Sequence, residues 1–118
     1  MRKIYFLSSC STCQRIMNDL GIDALWEQQD IKTEKITKKQ LSEMKKRAGS
    51  FEALFSRRAM KYRSLGLNEM DLGEKDYEKW ILNEYTFLKR PVMLINQDIF
   101  VGNSKKNVEA AKKALVAD

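Results

Sequence analysis

The stretch that most restricts how this chain can fold is the run Lys3-Ile4-Tyr5-Phe6-Leu7, which leads into Cys10-Ser11-Thr12-Cys13 and then into a helical pattern from Gln14 to Leu20. A strand feeding a helix through such a loop places the leading sulfur at the helix N-terminus. There the unpaired backbone N–H groups and the helix dipole favour thiolate over thiol. The thiolate is the reactive species, so the position itself activates the group. Cys10, closer to the strand end, reads as the attacking sulfur. Cys13, one turn into the helix, reads as the more covered thiol, suited to displacing a product from a Cys10 adduct and leaving a disulfide.

Two other readings of the pair stay open. A buried Cys is often a small apolar side chain, although packing does not require both cysteines at this spacing in a chain with no others. Cys-x-x-Cys is also half a zinc site. With no His and no further Cys, a tetrahedron would need carboxylates or a second subunit. No metal and no tightly bound cofactor are therefore expected. The missing imidazole leaves the backbone dipole, Arg, Lys or the second thiol to activate Cys10.

At 118 residues, with 43% hydrophobic and 32% charged, residues 1–118 read as one soluble globular domain. No apolar run approaches a membrane span, and Met-Arg-Lys runs straight into the first strand, so a cytoplasmic location is expected. In that compartment a Cys-x-x-Cys pair is a working dithiol rather than a permanent staple. The net charge of +6 favours anionic partners. Lysines that solvate helix faces account for it as well, and direct nucleic-acid binding is not expected.

Beyond the first helix, which Gly21 can stop, a second strand is predicted over Ala24–Ile31 with Leu25 as its best core residue. Thr37-Lys38-Lys39-Gln40 has capping-box spacing and opens a helix to Ala48-Gly49 that buries Leu41 and Met44. Phe51–Phe55 and Asp76–Tyr85 are helical, the latter with Tyr77, Trp80 and Ile81 as core candidates. Val92–Ile95 and Ile99–Val101 flank a tight turn and form a hairpin. A last helix runs from Lys105 to about Val116 with Val108, Ala111 and Leu115 on one face. The order β-α-β, helices, β-β-α describes a thioredoxin-like (glutaredoxin-like) α/β layout. It has a mixed four-stranded sheet, helices on both faces, and a helical insertion at about 37–88 between the two halves.

Pro91 is the only proline. In this layout it lies beside the dithiol as a cis bond, although a proline that simply begins a strand is the plainer reading. Arg90, Arg58 and Arg15 are candidate anion ligands, because guanidinium offers a planar fork to oxyanions and a nearby cation depresses a thiol pKa. Arg90 ranks first since it is joined to the proline.

Four segments, in this order, carry a resemblance. They are Ser9-Cys10-Ser11-Thr12-Cys13, Leu54–Arg58 with Tyr62–Leu67, Lys89-Arg90-Pro91-Val92, and Val101-Gly102-Asn103. Together they resemble the family of glutaredoxin-coupled arsenate reductases (ArsC) and the Spx transcriptional regulators over nearly the whole chain. The resemblance implies Cys10 as nucleophile, Arg90 and Arg58 as oxyanion ligands, and glutathione, glutaredoxin or thioredoxin as reductant. Its substrate would be arsenate, another small oxyanion, or a disulfide such as a glutathionylated substrate. The chain departs from the family pattern at Ser56-Arg57-Arg58-Ala59, where the register can shift by one. It departs again at Gln14, where relatives often carry an arginine, and in having Cys13, which resembles Spx. A redox-sensing regulator that binds RNA polymerase through a Cys10–Cys13 switch is the alternative the resemblance implies.

Overall fold

A computed structural model describes residues 1–117. In chain order the elements are β1 (Arg2–Phe6), α1 (Ser11–Asp19), β2 (Glu27–Asp30), α2 (Lys38–Ala48), α3 (Met60–Ser64), α4 (Glu74–Asn83), β3 (Val92–Ile95), β4 (Asp98–Val101) and α5 (Lys105–Ala117). They fall into two compact units, Met1–Lys35 with the chain from Arg90 onward, and Ile36–Lys89. Among the described residues no helix is long and apolar enough to cross a membrane.

The first unit is a mixed four-stranded sheet in the order β2-β1-β3-β4. β1 and β2 run parallel, as the intervening α1 crossover allows, and the other pairs are antiparallel. β3 is buried at every position and reads as a continuous apolar run, as a central strand covered on both faces must. Alternation on β1 and β3 sends Ile4, Met93 and Ile95 to one face, where they join Met17 of α1 and Ala111 of α5 in a core completed by Trp26.

The second strand is shorter than its composition suggests, and its core residue is shifted by one. The Asp23 carboxylate accepts the Leu25 N–H at 3.0 Å, and the Asp23 carbonyl accepts the Trp26 N–H at 3.1 Å. That aspartate turn spends the backbone groups a strand would need. It leaves Leu25 88% exposed and puts Trp26, 5% exposed, into the core instead.

In the second unit the capping box forms. Thr37 Oγ1 accepts from the Gln40 N–H and Gln40 Oε1 accepts from the Thr37 N–H, both at 3.0 Å. α2 then buries Leu41 and Met44 and ends at Gly49, whose φ of 99° lies in the left-handed region that favours glycine. Phe55 centres an aromatic cluster, stacked on Phe87 at 5.0 Å and tilted against Tyr77 at 4.9 Å.

Register sets the stage for the site. Tyr5 pairs with Val92, and Val92 with Val101. The chain leaving β1, the chain entering β3 and the chain leaving β4 therefore meet at one end of the sheet. A backbone bond of 2.9 Å from the Gly102 N–H to the Pro91 carbonyl ties two of these segments together.

Candidate active site: a dithiol at the start of α1

Cys10 is the N-cap of α1, with extended dihedrals (φ −92°, ψ 112°), and its carbonyl accepts the first helical bond from the Gln14 N–H at 3.2 Å. Its own N–H donates to the Leu7 carbonyl at 3.0 Å, which closes the loop back onto the end of β1. Ser8 is held from two sides. Its hydroxyl donates to the Asp30 carboxylate, and its carbonyl accepts from Gln14 Nε2 at 3.3 Å. Gln14 thus fastens the cysteine loop.

Both cysteines are free thiols, Cys10 half-buried and Cys13 buried. Partial burial pushes the Cys10 thiol up, but the Cys13 amide, the Cys13 thiol and the Thr12 amide all donate to its sulfur, and the Arg90 cation adds attraction. The result lies below the ordinary 9.0. Cys13 moves the other way, to about 11. Burial is the main cause, the charge and hydrogen bond of Cys10 add to it, and the Leu7 amide and Arg90 pull the other way. The pair therefore shares one proton, which stays on the inner sulfur.

Arg90 sits at the mouth of β3 with its Nε buried, close enough to lower both thiols, and the Arg90–Pro91 peptide bond is cis. The structure thus brings together Cys10, Cys13, Arg90 and Pro91. Arg15 is not among them. Two residues after the buried Cys13, it lies about 200° round the helix, exposed in a groove with Asn103 and Lys105. Arg58 belongs to the second unit and is exposed. Its neighbour Arg57 is engaged within that unit, with Glu52 at 2.7 Å and the Tyr77 hydroxyl at 3.0 Å. Both arginines are exposed, and Arg57 is the one with these side-chain partners.

The backbone N–H groups expected to favour a thiolate at the helix start are those of Thr12 and Cys13. What the residues alone did not reveal is the Ser8–Asp30 clasp. Its only signal is a hydroxyl and a carboxylate at the ends of two strands whose parallel register pairs Phe6 with Asp30.

A profile of the ArsC family matches residues 5–111. No curated protein matches the chain. Among solved structures, the YFFB protein is similar with a TM-score of 0.79 at 20% identity, covering 98% of this chain and 99% of its own. An arsenate reductase from Vibrio cholerae is similar with a TM-score of 0.75 at 16% identity, over 92% and 95% of the two chains. An arsenate reductase (ArsC) related protein from Brucella melitensis gives 0.67 at 24% identity, over 92% of each. At these identities the likeness is one of fold, a thioredoxin-like mixed sheet.

Proposed function

Because the chain belongs to the ArsC family, we propose that it is a thiol-dependent reductase in which Cys10 attacks an oxidised substrate and Cys13 resolves the adduct. The observation that supports this most directly is the asymmetry of the pair. One sulfur, at a helix N-cap, is favoured as thiolate, and its buried neighbour keeps a proton and donates it to the first.

With a mixed disulfide as substrate, the Cys10 thiolate attacks one sulfur, the S–S bond breaks, and the departing thiolate takes the electron pair. Cys10 is then neutral. The charge and hydrogen bond of Cys10, which add to burial in holding up the Cys13 pKa, vanish with it, so the inner thiol gives up its proton more readily than in the resting pair. It attacks Cys10 Sγ, forms the intramolecular disulfide and releases the second thiolate. Arsenate, the substrate named for the Vibrio cholerae relative, follows the same two steps. Cys10 displaces hydroxide from arsenic(V). Attack of Cys13 on the Cys10 sulfur then leaves the S–As electron pair on arsenic, released as arsenite. Arg90 holds the oxyanion beside Cys10 with charge-assisted hydrogen bonds. Glutathione, glutaredoxin or thioredoxin returns two electrons to the disulfide.

The test is turnover of a glutathione mixed disulfide and of arsenate by the wild type, Cys10→Ser and Cys13→Ser, with intact mass measured in each. Cys10→Ser should be inactive, and Cys13→Ser should accumulate a covalent adduct on Cys10. Undiminished turnover by Cys10→Ser would end the proposal.

A further inference from the structure

Ser8 and Asp30 lie at the end of the sheet from which the cysteine loop departs. Parallel register sets Phe6, the last residue of β1, opposite Asp30, the last of β2. The Ile31 N–H closes that end on the Phe6 carbonyl at 2.9 Å. Two residues beyond β1, the Ser8 hydroxyl donates across to Asp30 Oδ2 at 2.5 Å, and the Ser8 amide acts on the same carboxylate. Asp30 is itself held. Its Oδ1 accepts the Lys32 N–H at 3.1 Å, and its carbonyl accepts the Glu34 N–H at 2.8 Å. The Ser8 hydroxyl above all, with the Lys32 and Ser8 amides, keeps the Asp30 carboxyl below the usual carboxylate range. At neutral pH it is an ionised acceptor, and its bond to Ser8 is charge-assisted.

What Asp30 grips is the segment that aims Cys10. The Cys10 N–H reaches the Leu7 carbonyl at 3.0 Å and closes a four-residue turn with Ser8 and Ser9 at its centre. Ser9 is exposed, so Ser8 is the residue through which the turn is anchored. From the α1 side, Gln14 Nε2 donates to the Ser8 carbonyl at 3.3 Å. Clamped between β2 and α1, the turn delivers Cys10 with φ −92° and ψ 112°, the extended N-cap conformation in which its sulfur meets the Thr12 and Cys13 amides. A carboxylate acting only as a charge disfavours a thiolate near it. Asp30 assists Cys10 through what it holds.

We propose that Asp30 is a positioning residue for the thiol chemistry: by gripping Ser8 it locks the Leu7–Cys10 turn and keeps the Cys10 sulfur on the amides at the start of α1. The inference rests on Cys10 as the reacting sulfur of the function proposed above, and it holds whatever the oxidised substrate.

The experiment is the rate of alkylation of Cys10 by iodoacetamide against pH, located by peptide mass, in the full-length wild type, Ser8→Ala, Ser8→Thr and Asp30→Ala. Iodoacetamide is uncharged and needs no substrate site. In Ser8→Ala and Asp30→Ala the Cys10 midpoint should move up by about half a unit, because the freed turn leaves the amides for part of the time. Ser8→Thr, which keeps the hydroxyl, should stay near the wild-type midpoint. Loss of the Asp30 charge with the turn still in place would move the midpoint down, so the direction of the shift separates positioning from electrostatics. Ser8 is exposed, and Ser8→Ala decides the question should Asp30→Ala fail to fold. A wild-type midpoint in Ser8→Ala, a downward shift in Asp30→Ala, or a Ser8→Thr shift equal to that of Ser8→Ala would each overturn the proposal and leave Cys10 as the nucleophile. Failure of the thiol reading shows separately, as undiminished substrate turnover by Cys10→Ser.

Discussion

Replacing Cys13 by Ala should raise the pKa of Cys10 by about one unit, a size that follows from what the substitution removes. The Cys10 sulfur receives the Cys13 amide, the Cys13 thiol and the Thr12 amide, with Arg90 nearby. Alanine at position 13 keeps both amides and the cation and deletes one donor. A hydrogen bond to a charged group contributes roughly 1.5–3 kcal/mol. Cys10 is half-buried, so solvent replaces part of what is lost and the low end applies. At about 1.4 kcal/mol per pKa unit the shift is about one unit, while the two amides and the Arg90 cation continue to favour the thiolate. Alkylation rate against pH measures it without ambiguity, since one thiol remains. Cys13→Ser, which keeps a hydroxyl donor, should shift less. In Cys10→Ala the Cys13 value should fall from about 11, because the neighbouring charge and hydrogen bond are gone, yet stay above 9.0, because burial remains. A Cys10 curve in Cys13→Ala that overlays the wild type would refute the shared-proton account.

Arg90→Ala should raise the Cys10 pKa and weaken sulfate or arsenate binding by about 2 kcal/mol; unchanged affinity by calorimetry would remove Arg90 from the site. Stability should fall as pH rises from 9 to 11. Over that range an unfolded Cys13, at its ordinary 9.0, loses its proton while the folded one, at about 11, keeps it, so the native state binds more protons. Cys10 acts with the opposite sign: its depressed pKa stabilises fully above 9.0, and that contribution is lost as pH falls through its folded value. Thermal midpoints across pH 9–11 should therefore decline less steeply in Cys13→Ala, and parallel slopes would contradict the assignment.

Features whose partners lie close in sequence were legible before any coordinates. Thr37 and Gln40 are three residues apart, so their capping box could be read directly, as could the hairpin around its turn and the dithiol at the head of its helix. Features that depend on register or on distant partners were not. One aspartate turn at Asp23 takes Leu25 and Trp26 out of the second strand, which starts only at Glu27, and the turn leaves Leu25 exposed and Trp26 in the core. Arg57 and Arg58 look alike in sequence, and only the fold of the second unit shows Glu52 and Tyr77 engaging the first of them. Arg15 could be read either way, as an anion ligand or as a charge pointing out from the first helix, and helical periodicity sets it opposite the buried Cys13.

That Cys10 rather than Cys13 ionises was legible from its place at the start of α1; which amides act on it was not, because they carry no side-chain signature. Thr12 acts on Cys10 through its backbone N–H, and any residue but proline supplies that group. Thr12→Ala should accordingly leave the Cys10 alkylation profile in place, although it removes the only hydroxyl between Cys10 and Cys13 apart from that of Ser11. A shift of the profile toward higher pH would mean that the hydroxyl stabilises the thiolate. The site would then depend on residue identity at position 12 and not on the amides at the start of α1.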